Sequence, residues 1–243
     1  MDIHKPKPFH DWREFLKEYA IIVLGVATAL AAEQAVVILH DRAKAAEARA
    51  NIRAEIIGNL RAMELREGTE DCQARRMEEI DGLIAASAAG KLLAEPLWLG
   101  QPYSFILPDS RYKAALQSGA VSLFDDMEQA AYSNIYAFFA QRDLQVEDEI
   151  RAWADLRTLE DHPPPSATLD WQLRSAMKRA RVARWAIDAL HASVVQSAAQ
   201  IGIRPADPGK PDKHSICVKL HTPRAEALKQ LGTSLGRHLE RQP

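Results

Sequence analysis

Residues 19 to 39, YAIIVLGVATALAAEQAVVIL, decide how the rest of the chain is read. The run is apolar except for Thr28, Glu33 and Gln34. At about 1.5 Å of rise per residue, Tyr19 to Ala32 covers only about 21 Å, short of a hydrocarbon core of roughly 30 Å; continuing to Leu39 restores a spanning length. Ten Leu, Ile and Val residues at about −0.45 kcal/mol each contribute about −4.5 kcal/mol, against roughly +2.5 to +3.5 for one central acidic residue. Insertion wins by a small margin, and Glu33 lies far enough past the midpoint to reach towards the interface or be neutralised. Ile21 to Leu24, Val26 and Leu30 surround the helix axis instead of forming one stripe, which argues against a soluble bundle helix. A signal peptide fits less well. The basic lead with Lys5, Lys7, Arg13 and Lys17 is long, and Ala29-Leu30-Ala31 matches a cleavage pattern only formally.

The expected layout is therefore a short basic cytoplasmic tail (1–18), a transmembrane helix (19–39) and a helical extramembrane domain (40–243). Positive charge is balanced across the span, with Arg42, Lys44, Arg49 and Arg53 on the exit side, so orientation rests on the short tail preceding a long domain. That places the domain in the bacterial periplasm, with the protein single-pass in the inner membrane. Cys72 and Cys217 are then free to form a disulfide or to stay as thiols; the sequence leaves both open.

Charged residues make up 26% of the chain and the net charge is −2, so no general affinity for nucleic acid is implied. About 200 residues beyond the span suffice for one helical domain with a core. Ile52, Ile56, Leu60 and Met63, then Met77, Ile80 and Ile84, recur at helical spacing, and the polar segment Arg66 to Gln73 with Gly68 marks a break. Gly90, Pro96, Gly100, Pro102 and Pro108 mark a linker whose Tyr103 to Leu107 runs extended. Asp109 and Asp125 are candidate N-caps. The stripe Met127, Ala131, Ile135, Phe138, Val146, Ile150, Trp153 predicts one long helix, ended by Pro163 to Pro165, and Leu173 to Ile201 predicts the next. The short connection folds them into a hairpin over about 126–201, with Lys178, Arg179 and Arg181 level with Glu147, Asp148 and Glu149. A Pro-rich loop (202–222) and a C-terminal helix (223–239) close an all-α fold: an N-terminal transmembrane helix continuing into a long helix, plus an antiparallel helical bundle domain.

The candidate sites are few. Gly25, Thr28, Ala29, Ala32 and Glu33 share one face of the span, where small residues allow a second helix to approach and a carboxyl can bond across the contact. Tyr132, Tyr136 and Phe139 line up at helical spacing as core or as the lining of a ligand site, core being the commoner use. His214, Cys217 and His221 are weak metal candidates without a clear fourth ligand. Asp188 and His191 could form an acid-oriented base, but no motif supplies a nucleophile. Arg174, Lys178, Arg181 and Arg184 form a basic strip beside Trp185, explained most simply by pairing with a neighbouring acidic helix. No phosphate-loop, dinucleotide, redox, zincin or serine-hydrolase string occurs, so neither a cofactor nor an enzyme is expected.

Two blocks are familiar. His4-Lys-Pro-Lys-Pro8, Trp12-Arg-Glu-Phe-Leu-Lys-Glu18, Ile21-Ile-Val-Leu-Gly25 and Ala31-Ala-Glu-Gln34 form one; Arg111-Tyr-Lys-Ala-Ala-Leu-Gln-Ser-Gly119 with Tyr132 to Phe139 forms the other. Together they resemble a bacterial family of single-span membrane proteins with a helical extramembrane domain and no known activity. The resemblance implies an anchored helical domain and carries over no catalytic residue. The expected function is that of a membrane-anchored interaction or accessory protein, with the lipid bilayer and either further copies or a partner membrane protein as its company. The alternatives are a periplasmic small-molecule sensor and an enzyme without a recognisable motif.

Overall fold

A computed structural model describes residues 12–91, 93–205 and 214–239, with side chains described to residue 232. Among the described residues the chain is all-α, with no strand. Six helices follow one another: α1 (Trp12–Glu67), α2 (Glu70–Ala88), α3 (Ser110–Gln117), α4 (Asp126–Leu156), α5 (Ala167–Gln200) and α6 (Arg224–Leu239). Short 3₁₀ turns at Val121–Leu123, Arg157–Asp161 and Ser215–Cys217 join them. The helix begins at Trp12, so residues 12–18 of the expected tail are already helical; residues 1–11 and the centre of the Pro-rich loop, 206–213, lie outside the described residues.

The 56 residues of α1 span about 84 Å. Among the described residues none before Ala45 is buried; from there Ala45, Ala48, Ile52, Ile56, Leu60 and Met63 are. Their three- and four-residue steps give the inward stripe of a helix packed on one side. The partner is the α4–α5 hairpin. α4 runs parallel to α1, with Arg49 on Glu128, Glu55 on Tyr136 and Arg66 on Glu149. α5 runs antiparallel, with Arg53 donating to the Ile201 carbonyl and Glu67 meeting His191.

The hairpin has two covered ends. Beside the lower part of α1, Tyr132, Ile135, Tyr136 and Phe139 of α4 and Val194 and Ala198 of α5 form one core with α3 and the turn at Val121. Farther along, α2 replaces α1. Met77, Ile80 and Ile84 pack there against Trp153, Leu156, Leu173 and Met177, together with Leu97, Leu99 and Ile216.

The change of direction between α1 and α2 falls at Gly68–Thr69, within the polar segment where the sequence puts a break. Glu149 of α4 pins it. Its carboxylate, fully buried, accepts two bonds of 2.8 Å from Arg66, just before the break, and one of 2.8 Å from Gln73, just after it. An isolated buried carboxylate is costly, and three charge-assisted bonds offset that cost.

Residues 93–109 carry no helix, yet Leu97, Trp98, Leu99 and Leu107 are buried. Buried irregular backbone needs partners for its polar groups. Helix side chains supply them: Asn59 donates to the Pro108 carbonyl, Arg66 to Tyr103, Arg142 to Phe105, and Arg76 to Trp98 and Leu99. Asp143 accepts from the Leu107 amide and Glu160 from the Leu99 amide. Gly100 is held at φ 66° with the Ser215 carbonyl oxygen 2.5 Å from where a Cβ would stand, so both its backbone angle and its neighbour require glycine.

Cys72 of α2 is bonded to Cys217, closing the alternative left open by the sequence. The two are 145 residues apart, a loop whose closure in the unfolded chain costs about 5 kcal/mol in the chain-entropy account. The bond holds the C-terminal segment against α2 and so fixes the seat of α6, where Trp98, Val218 and Ala227 pack.

Three local expectations are corrected. Met127 and Ile150 point outward, while Ala131, Ile135, Val146 and Trp153 of the expected stripe are buried; the seam of α4 also takes in Tyr132, Tyr136, Phe139 and the charged Arg142 and Glu149. Asp109 occupies the first position before α3 without a side-chain cap bond. Glu55 of α1 caps that helix from outside, accepting from the Arg111 and Tyr112 amides at 2.9 and 3.3 Å. The basic residues of α5 also pair differently: Arg151 of α4 satisfies Glu147 and Asp148, while Arg181 meets Asp81 and Arg184 meets Glu70, both on α2. Arg179 crosses to Asp155 near the hairpin end.

Candidate functional site

The first half of α1 is long and apolar enough to cross a bilayer, and none of its apolar window is buried. Gly25, Thr28, Ala29, Ala32 and Glu33 lie within an arc of about 140°, given about 100° per residue, and all are exposed. Nothing lies within 4 Å of where a Cβ on Gly25 would stand. Thr28 donates its hydroxyl to the Leu24 carbonyl at 2.7 Å, so it is satisfied within its own helix. The small-residue face is thus present, and no other described segment of the chain covers it.

A feature missed in the sequence reading lies at the start of α1. Trp12, Phe15 and Tyr19 stack along one side, with ring centroids 5.6 and 6.3 Å apart. Aromatic rings with polar edges concentrate where hydrocarbon meets headgroups, and these sit where the apolar run begins. The signal was legible as a three- and four-residue aromatic spacing. The charged group His40, Asp41, Arg42 and Lys44 bounds the other end.

The remaining candidates are accounted for by packing. Tyr132, Tyr136 and Phe139 are buried core side chains. Tyr112 stacks on Tyr136 at 4.1 Å, Phe139 meets it edge-on at 5.4 Å, and the Tyr136 hydroxyl donates to Glu55 at 2.6 Å. Burial, and then the Glu55 carboxylate, push the Tyr136 hydroxyl well above the usual phenol range. The trio belongs to the core that joins α4 to α1 and α3.

His214, Cys217 and His221 do not share a metal. Cys217 is in the disulfide, which removes its thiolate. His214 packs on the Tyr103 ring at 4.9 Å and accepts from the Ile216 amide, while His221 Nδ1 lies 3.1 Å from the Pro96 carbonyl oxygen. Burial, with a smaller contribution from Arg66, lowers the His214 imidazole to about 4. The string instead seats the C-terminal segment on the 93–109 loop.

Asp188 and His191 do not act as a pair either. Asp188 faces Arg184 at 3.8 Å, and burial raises its carboxyl above the usual range. His191 turns instead to Glu64 and Glu67 of α1, a grouping the sequence hides because its members are more than 120 residues apart.

Arg142 is wholly buried on α4. It donates to the Phe105 carbonyl and Asp143 at 3.0 Å each and stacks over the Phe105 ring at 4.3 Å. Burial, and then the nearby Arg66, lower it to about 10, so it remains a cation at neutral pH. Its task is structural, holding the irregular loop to α4. No family model, curated protein or solved structure matches the chain.

Proposed function

We propose that the protein is a single-pass anchored interaction or accessory protein of the bacterial inner membrane, with its helical domain in the periplasm and no catalytic role of its own. The observation that carries this reading is the first half of α1: an apolar helix, with a row of aromatic side chains along one side at its start, that the other described segments leave bare. Water is a poor solvent for such a surface, since each large apolar side chain left exposed forgoes about 1.5–3 kcal/mol. The Cys72–Cys217 bond agrees with an oxidising compartment for the domain.

Association through the face of Gly25, Thr28, Ala29, Ala32 and Glu33, with a second copy or with a helix of a membrane complex, follows from the same bareness. Lipid tails are as apolar as leucine, so contacts between membrane helices depend on close backbone approach and polar bonds. A Gly25→Leu, Ala29→Leu double variant should still reach the membrane fraction but lose cross-linking within the bilayer. Unchanged cross-linking would refute the packing face while leaving the anchor standing. Partners recovered in stoichiometric amount after mild detergent extraction would identify what the face holds.

A further inference from the structure

The side of α1 facing α5 holds a cluster that neither the anchor nor the disulfide explains. Glu64 and Glu67 stand one turn apart at the end of α1, Glu67 being its last residue, and His191 of α5 sits between them. The His191 side chain is only 8% exposed. One nitrogen, Nδ1, meets Glu67 Oε1. The other, Nε2, is buried with no hydrogen-bond partner among the described residues and lies 3.4 Å from Glu64 Oε1.

That arrangement is chemically incomplete. With Nδ1–H donated to Glu67, Nε2 carries a lone pair, and it faces a carboxylate oxygen that is also an acceptor. A buried imidazole lone pair facing the partly buried Glu64 carboxylate calls for a cation between them. A proton would draw nitrogen and oxygen to about 2.7–2.9 Å. Two ligands each about 2.1 Å from one metal ion at a tetrahedral angle stand about 3.4 Å apart. The 3.4 Å between His191 Nε2 and Glu64 Oε1 matches the second spacing.

We propose that Glu64 and His191 Nε2 bind a divalent first-row cation of the zinc class, with the Glu67 carboxylate on Nδ1 fixing the tautomer and orientation of the ring. A carboxylate behind a ligating imidazole is the usual outer partner of such sites. All three groups offer ligand atoms within 4.8 Å of one another, and the half-exposed Glu67 side chain leaves a solvent side through which the ion enters and water completes its coordination. Imidazole with carboxylate suits zinc better than the oxygen-only preference of magnesium or calcium. The ion would join α1 to α5 beside the hinge at Gly68. The proposal is independent of the membrane reading, since every residue in it belongs to the packed domain.

The test is calorimetric titration of Zn²⁺ alone into full-length, tag-free protein in mild detergent after stripping with chelator. The expected result is one ion per chain, with affinity at least tenfold weaker in Glu64→Gln and in His191→Ala, and weakened to a smaller degree in Glu67→Gln. The near-isosteric Glu64→Gln, checked for unchanged helicity, keeps the result readable should His191→Ala misfold. The His214→Ala, His221→Ala double variant should bind as the parent does. Absence of stoichiometric binding by the parent overturns the site. So does undiminished binding by Glu64→Gln, or a loss confined to the His214 and His221 variant.

Discussion

The two halves of α1 are one unbroken helix with opposite surroundings. From Trp12 to Lys44 no side chain is buried, although Ile21, Ile22, Val23, Leu24, Val26 and Leu30 face all directions; from Ala45 to Arg66 one stripe, Ala45, Ala48, Ile52, Ile56, Leu60 and Met63, is covered, while Ile57 on the other side is exposed. Helix propensity does not separate the halves, since both are rich in Ala, Leu and Ile. The difference is angular distribution. A helix apolar all round needs an apolar surrounding, whereas a striped one needs a single neighbour. The second half also admits polar residues inward, at Glu55, Asn59 and Arg66, each matched by a bond from the packed domain.

That contrast can be broken most severely at its polar end. Arg66→Leu leaves Glu149 buried without its main counter-charge and should destabilise the domain by about 3–5 kcal/mol, read as a lowered urea midpoint of the fluorescence of buried Trp153. Combining it with Glu149→Leu should restore much of the loss. If the single variant is as stable as the parent, the ion pair at the hinge is not what holds α4 to α1.

The same apolar truncation in each half sharpens the comparison. Ile56→Ala should cost the domain about 2–5 kcal/mol through lost burial and a cavity, while Ile22→Ala, on the bare half, should leave the urea midpoint unmoved. Equal losses at both positions would mean that the first half packs on the domain after all. A smaller effect is expected at Tyr136→Phe, which removes one charge-assisted bond to Glu55 and should cost about 1.5–3 kcal/mol; the other donors to that carboxylate, at Ser110, Arg111 and Tyr112, keep it solvated.

The mildest test is acid. The His214 imidazole is lowered to about 4 from 6.5, chiefly by burial. The folded state therefore binds fewer protons than the unfolded state between those values, and stability falls as pH drops from 6.5 towards 4. Replacing His214 with Gln should flatten the urea midpoint over that window. An unchanged pH profile would show that the ring is not held neutral by its packing.

Much of the architecture was legible because it rests on local spacing. The apolar run, the break near Gly68, the cap at Asp125 and the hairpin turned by Pro163 to Pro165 each follow from neighbours within a few residues; Asp125 does accept from the Glu128 amide at 2.8 Å. What stayed hidden depends on partners far along the chain. Glu55, Arg66, Arg76, Arg142 and Glu149 look like surface charges in a one-dimensional reading, and only folding shows that they cap a distant helix or hold a buried loop. The candidate site divides in the same way: the small-residue face is a property of one helix, whereas the group of Glu64, Glu67 and His191 forms only when α1 meets α5.

The account depends on lipid surrounding the first half of α1, and extraction of cell membranes with alkaline carbonate tests this most directly. The full-length chain is expected to stay in the pellet and to be released only by detergent, and a variant carrying Leu24→Arg and Ala27→Arg, two charges at roughly +2.5 to +3.5 kcal/mol each, should move to the supernatant. Recovery of the unaltered protein in the carbonate supernatant would contradict the anchor.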